Sequence, residues 1–170
     1  MHHDLLEQAR ALALLDPGKP KQVNLRRAIS SAYYSLFHLL THEACCAQIG
    51  TQHAQAKYRQ VLGRAFAHPV MKQACASFGG GALKAAVARG LPAGFTIPRP
   101  IRQIAATFVA VQERRHIADY DVTERFRRSE VLTMIEVIRN DSANFEALPS
   151  SDEKRFFLAC LWAWKELTNR

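Results

Sequence analysis

At 170 residues, with 48% hydrophobic and 22% charged side chains, the chain is long enough to bury one real core and is expected to form a single domain over 1–170. No apolar run reaches the roughly 18 residues of a membrane span. Met1-His2-His3-Asp4 does not open a signal peptide, so a cytoplasmic location and no membrane partner are expected. The net charge of +8 says nothing about fold but favours anionic partners such as RNA, DNA, nucleotides or an acidic protein. Cys45, Cys46, Cys75 and Cys160 include no Cys-x-x-Cys pair, so they read as reduced, mostly buried thiols rather than a disulfide framework or zinc knuckle.

In chain order, Leu5, Leu6, Ala9, Leu12 and Ala13 keep helical spacing until the turn chemistry of Asp16-Pro17-Gly18. Residues 25–45 then predict a long central helix. Leu25, Ile29, Ala32, Leu36, Leu39 and Leu40 share one face, with Tyr33 and Phe37 at its edge. The opposite face carries Arg27, Ser31, Tyr34, His38, Thr41 and His42 in place of a solvated Lys/Glu mixture, which predicts packed neighbours on both sides. A third helical stretch covers about 52–67 and is broken at His68-Pro69. Residues 70–78 continue as a turn or two of helix, and Gly79-Gly80-Gly81 reads as a flexible hinge. No Gly-Lys-Ser/Thr follows it, so it is not a phosphate loop. A short helix at 82–89 and a proline-containing loop at 90–100 complete a basic region with Lys72, Lys84, Arg89 and Arg99.

Pro100 suits the first turn of a helix running to about 118, with Ile101, Ile104, Ala105, Phe108 and Val111 as its buried stripe. The same periodicity carries Arg115 and then Asp119 inward, where they are expected to pair. Ser129 is expected to cap a helix over 129–147, with Glu130 in its first turn. Ser150 with Glu153 has capping-box spacing for a last helix. Phe156, Phe157, Leu158, Leu161, Trp162 and Trp164 make that helix apolar nearly all round, so it is expected to be deeply buried or half of a subunit interface. No strand pattern competes. The fold class is all-α, an antiparallel helical bundle of about five main helices with a helical and loop excursion at about 50–98.

Three constellations carry chemical potential. Arg114-Arg115-His116-Ile117-Ala118-Asp119-Tyr120-Asp121 gathers guanidinium, imidazole, carboxylate and phenol groups at a helix end. The competing reading is a structural clamp of Arg115 on Asp119. His38, His42 and Cys45 have metal-compatible helical spacing, but nothing else calls for a metal, and neither metal nor cofactor is expected. The basic stretch 72–102 lacks the interleaved aromatics that stack unpaired bases, so it reads as a phosphate-contacting or simply solvated surface.

Two of these segments together resemble a known family. Ala28-Ile-Ser-Ser-Ala-Tyr-Tyr-Ser-Leu-Phe-His38 and, much later, Arg115-His-Ile-Ala-Asp-Tyr-Asp121 resemble the HEPN superfamily, in the branch with an AYYAxFH-like helix and an RxxADYD motif. The resemblance covers 23–40 and 108–148 well and 50–98 poorly. It implies a HEPN-like helical bundle that commonly forms a homodimer, with the arginine motif near the symmetric interface. Members include metal-independent ribonucleases, proteins that bind RNA or nucleotides, and partners of a small nucleotidyltransferase in toxin–antitoxin-like pairs. In some of them the motif tyrosine accepts a nucleotidyl group.

The resemblance implies that active members follow the arginine with a histidine four to six residues later. Here Asp119 stands in that slot. An Asp paired to Arg115 is a poor general acid at neutral pH and repels phosphate. The expected function is therefore a non-catalytic or weakly catalytic RNA- or nucleotide-binding or regulatory component, with Arg114, Asp119, Tyr120, Tyr34, Ser31 and Arg27 as motif and binding residues. One alternative is a ribonuclease using Arg114 or Arg115 with His38 or His116 in place of that histidine. Another is a purely structural or oligomeric protein.

Overall fold

Local preference in this chain runs to helix, and helix is what forms. The computed structural model describes residues 1–169, in which eight α-helices account for the regular structure together with two short 3-10 turns, and no strand is present among them. The helices are α1 (His2–Leu14), α2 (Gln22–Ile49), α3 (Ala56–Leu62), α4 (His68–Gly79), α5 (Ala85–Ala88), α6 (Arg99–Tyr120), α7 (Arg128–Glu146) and α8 (Asp152–Thr168). The chain divides into two compact units. One comprises Met1–Leu39 and Thr107–Ala143, the other Leu40–Ala106 and, among the described residues, 144–169.

In the first unit the buried stripe of α2 is the one its periodicity predicts: Leu25, Ile29, Ala32 and Leu36 are fully enclosed, and so is Tyr33, whose ring lies 5.6 Å from that of Phe108. Polar groups close the chain around this core. Asp16 accepts from the Lys21 N–H and the Asn24 side chain at 2.9 Å each, so the turn after α1 also secures the start of α2. These hydrogen bonds, the Lys21 backbone bond foremost, hold the Asp16 carboxyl below its usual range. Arg128, the first residue of α7, donates to the carbonyls of Ala13, Asp16 and Gly18. Gln22 and Phe126 exchange hydrogen bonds, side chain to main chain, in both directions. Ser129 does not cap α7. The helix begins one residue earlier, and the Arg127 N–H is met instead by Glu130 at 3.3 Å.

In the second unit α4 and α8 pack together, and α5 also touches α8. Phe78 of α4 meets Phe156, Phe157 and Trp164 at ring separations of 6.2, 5.0 and 6.1 Å. Within the stretch 50–98, α4 buries Met71, Ala74, Cys75 and Phe78. His68-Pro69 opens α4 rather than ending its predecessor, since proline in a first turn sacrifices no helical bond.

The glycine triplet is likewise structural. A Cβ on Gly79 would lie 2.8 Å from the Ala106 nitrogen, so this glycine lets α4 approach α6. Gly81, at φ +76°, turns the chain out of the helix, its N–H donating to Phe78 O. The cap of α8 is Ser151, accepting from the Lys154 N–H at 3.2 Å, one residue beyond the expected Ser150. α8 itself is two-sided: Trp164 is fully buried, whereas Trp162 is exposed.

Candidate functional site

The site lies wholly within the first unit, where the last turns of α6 meet the first half of α2. The apolar stripe of α6 runs through Val111 to Ala118, and Arg115 and Asp119 flank its end, the first half-buried and the second at the surface. As the spacing predicts, they pair: Arg115 Nε is 2.6 Å from Asp119 Oδ2, with about a quarter of each side chain still exposed. The contact is an ion pair and not an aligned hydrogen bond. The second carboxylate oxygen of Asp119 accepts the Ser30 hydroxyl at 2.7 Å. The Arg115 guanidinium carbon lies 5.8 Å from the ring centroids of both Tyr33 and Tyr34. A charge of each sign is therefore balanced, and the cation rests against two aromatic rings.

Arg114 turns away from this pair. It faces Glu124 at 3.7 Å and Glu130 at 3.5 Å, and its guanidinium sits 5.1 Å from the Phe126 ring. Arg26 approaches the same ring to 5.2 Å while donating to the carbonyls of Ala118 and Glu124, each at 2.7 Å. Beyond the clamp the motif reaches solvent. His116 and Tyr120, one turn apart, are both exposed, with ring centroids 4.8 Å apart, and Tyr120 is 67% exposed. Asp121 makes the turn after α6, accepting from the hydroxyl and N–H of Thr123 and the N–H of Glu124. These bonds, the Thr123 hydroxyl first, hold its carboxyl below the usual range.

Of the central-helix candidates, Tyr34 reaches the clamp. Ser31 bonds instead to Gln8 at 3.2 Å, and Arg27 is exposed. His38 is half-buried beside Tyr34 and Phe37, and burial lowers its pKa. The groups that bond to the α6 segment are Arg26 and Ser30, each one residue earlier than the polar face read from sequence. A shift of one residue rotates a helix face by about 100°, and side-chain periodicity alone does not fix that phase when Ser and Arg occupy adjacent positions.

His42 Nε2 stands 3.5 Å from Cys46 Sγ, whereas the Cys45 thiol is buried and its pKa is raised, chiefly by desolvation. One further signal is visible in the sequence once the units are known. Between Glu43 and Glu113 stand Lys57, Arg59, Arg64, Lys72, Lys84, Arg89, Arg99 and Arg102 and no acidic residue, so this stretch accounts for the entire net charge of +8.

In comparison with known proteins, no family model, curated protein or solved structure matches the chain.

Proposed function

We propose that the chain is a HEPN-like regulatory component that binds RNA or a nucleotide without cleaving it and works beside a small nucleotidyltransferase, with Tyr120 as the group that enzyme modifies. The reading is supported by the way the motif divides. Arg115 is neutralised by Asp119 and lies against Tyr33 and Tyr34, whereas Tyr120 stands in solvent with the His116 ring beside it. A ribonuclease needs a free cation for the developing phosphorane charge and an acid for the leaving oxygen. Arg115 is already engaged, and the residue next to it is a carboxylate. An accessible phenol, by contrast, can attack the α-phosphorus of ATP. The new bond is Tyr120 Oη–P, the bond to pyrophosphate breaks, and the phenolic proton passes to a base, for which His116 is the neighbouring group. The acid-free basic stretch suits an anionic partner.

The test is co-incubation with ATP and a nucleotidyltransferase encoded in the adjacent reading frame, followed by intact-mass measurement. One AMP per chain is expected on the native protein and none on Tyr120→Phe. A native chain left unmodified by an enzyme shown to be active overturns the acceptor role. RNA cleavage by the native chain that disappears in Arg115→Ala would replace this reading with the ribonuclease one.

A further inference from the structure

An open cavity of about 540 Å³ lies in the second unit, walled by Gly81, Leu83, Leu91, Phe95, Ile97 and Arg102. Its size falls within the roughly 300–1,000 Å³ of small-molecule sites. Leu83, Leu91, Phe95 and Ile97 are all half-buried and form an apolar patch within a lining whose exposed surface is otherwise polar. That patch is anchored from behind: the Phe95 ring stands edge-on to Phe156 of α8 at 6.1 Å and 84°.

Arg102 supplies the only charge on the lining. Its side chain lies along the Gly81 main chain, where an added Cβ would be 3.5 Å from its Cδ and 3.7 Å from Nη1. No carboxylate or carbonyl pairs with the Arg102 guanidinium among the described residues. The surrounding sequence has no acidic residue to supply one, since none occurs between Glu43 and Glu113. Arg26, Arg59, Arg114, Arg115 and Arg128 are tied to partners, and Arg102 is among the arginines that are not.

We propose that this cavity binds a small organic anion, with a carboxylate or phosphate head on the Arg102 guanidinium and an apolar body against Leu83, Leu91, Phe95 and Ile97. The guanidinium fork matches either head group through two parallel hydrogen bonds, and the apolar patch gains by covering a hydrocarbon body. The proposal does not depend on the function proposed for the α6 motif.

The experiment is a titration of the full chain with octanoate, octyl phosphate and octanol, followed by backbone amide resonances. Saturable shifts centred on Gly81, Leu91 and Phe95 are expected with octanoate or octyl phosphate, and the tighter of the two assigns the head group. Octanol, with the same tail and no charge, should bind much more weakly. Arg102→Gln should weaken anion binding by about ten-fold or more, the scale of one lost charge-assisted hydrogen bond. Because Arg102 is exposed, its spectrum away from the cavity should stay native. Ala88→Phe, which keeps Arg102 but fills the space, should also abolish binding. Anion shifts absent or scattered over the surface, or equal affinity for octanol, or an Arg102→Gln protein that binds like the native one, would overturn the assignment.

Discussion

Asp119 holds two partners at once, Arg115 on one oxygen and Ser30 on the other, and this double contact makes the pair a clamp. With about a quarter of each charged side chain exposed, the pair lies between a surface bridge, worth about 0–1 kcal/mol, and a buried one, whose breaking costs about 3–5. Arg115→Ala should therefore cost about 1–2 kcal/mol in urea unfolding. A loss near zero would show that the clamp does not secure α6 against α2. His38 belongs to the same scale. Burial, aided by the N-terminal ammonium, lowers its pKa from 6.5, so the unfolded chain binds the proton more tightly than the folded one. This contribution is at its most favourable above the unfolded value of 6.5 and falls as pH drops from there through the folded pKa. The melting temperature should decline on acidification through that window, and His38→Gln should flatten the decline. An unchanged slope in the variant would remove His38 as its source. The thiols take no part near neutrality: burial raises Cys160 to about 12 and Cys75 further still.

At the scale of elements, α8 is held at its first turn by Lys154, a cation only 7% exposed. Its ammonium meets Glu43 at 3.2 Å and the carbonyls of Phe145 and Leu148 at 3.2 and 3.1 Å, and it lies 4.7 Å from the Phe145 ring centroid. Replacing it by Met keeps the volume but leaves a carboxylate and two carbonyls without their partner. The expected loss is about 3 kcal/mol, the low end for a buried pair because Glu43 still reaches water. Adding Glu43→Leu should recover part of that loss, which a double-mutant cycle measures directly. Gly79 sets two effects against each other. Alanine is the better helix former by about 1 kcal/mol. However, its Cβ would fall 2.8 and 2.9 Å from the Ala106 backbone, and forcing atoms into packed space costs about 1–3 kcal/mol. Backbone cannot swing aside as a side chain can, so Gly79→Ala should be net destabilising by thermal unfolding. A stabilised variant would mean that α4 and α6 separate freely.

For the whole molecule, charge is segregated along the chain. Residues 44–112 carry eight cations and no anion, and the remaining basic and acidic residues cancel. If RNA is the anionic partner proposed above, its affinity should fall steeply with added salt because phosphate contacts release counterions. Neutralising Lys84, Arg89 and Arg99 together should make that salt dependence shallower. Filter binding of an RNA oligonucleotide across a salt series checks this, and affinity absent even at low ionic strength would remove RNA as the partner.

Sequence alone determined the helical class, the buried stripes of α2 and α6, and the Arg115–Asp119 pair. Each rests on residues a few positions apart, where helical periodicity dictates who faces whom. The end of α1 at the Asp16 turn was legible for the same local reason. Only the tertiary structure decided that Ser30 and Arg26, rather than Ser31 and Arg27, meet the motif, because those partners lie about ninety residues away. Ser150 and Ser129 looked like caps, yet the chain used Ser151 and Glu130, since a cap depends on where the preceding turn delivers the backbone. The glycine triplet shows the same division. Its composition suggested freedom, and what it serves is a close approach to Ala106, a constraint imposed by a residue more than two dozen positions further on. Spacing fixes what a helix presents, and packing between distant segments decides what it meets.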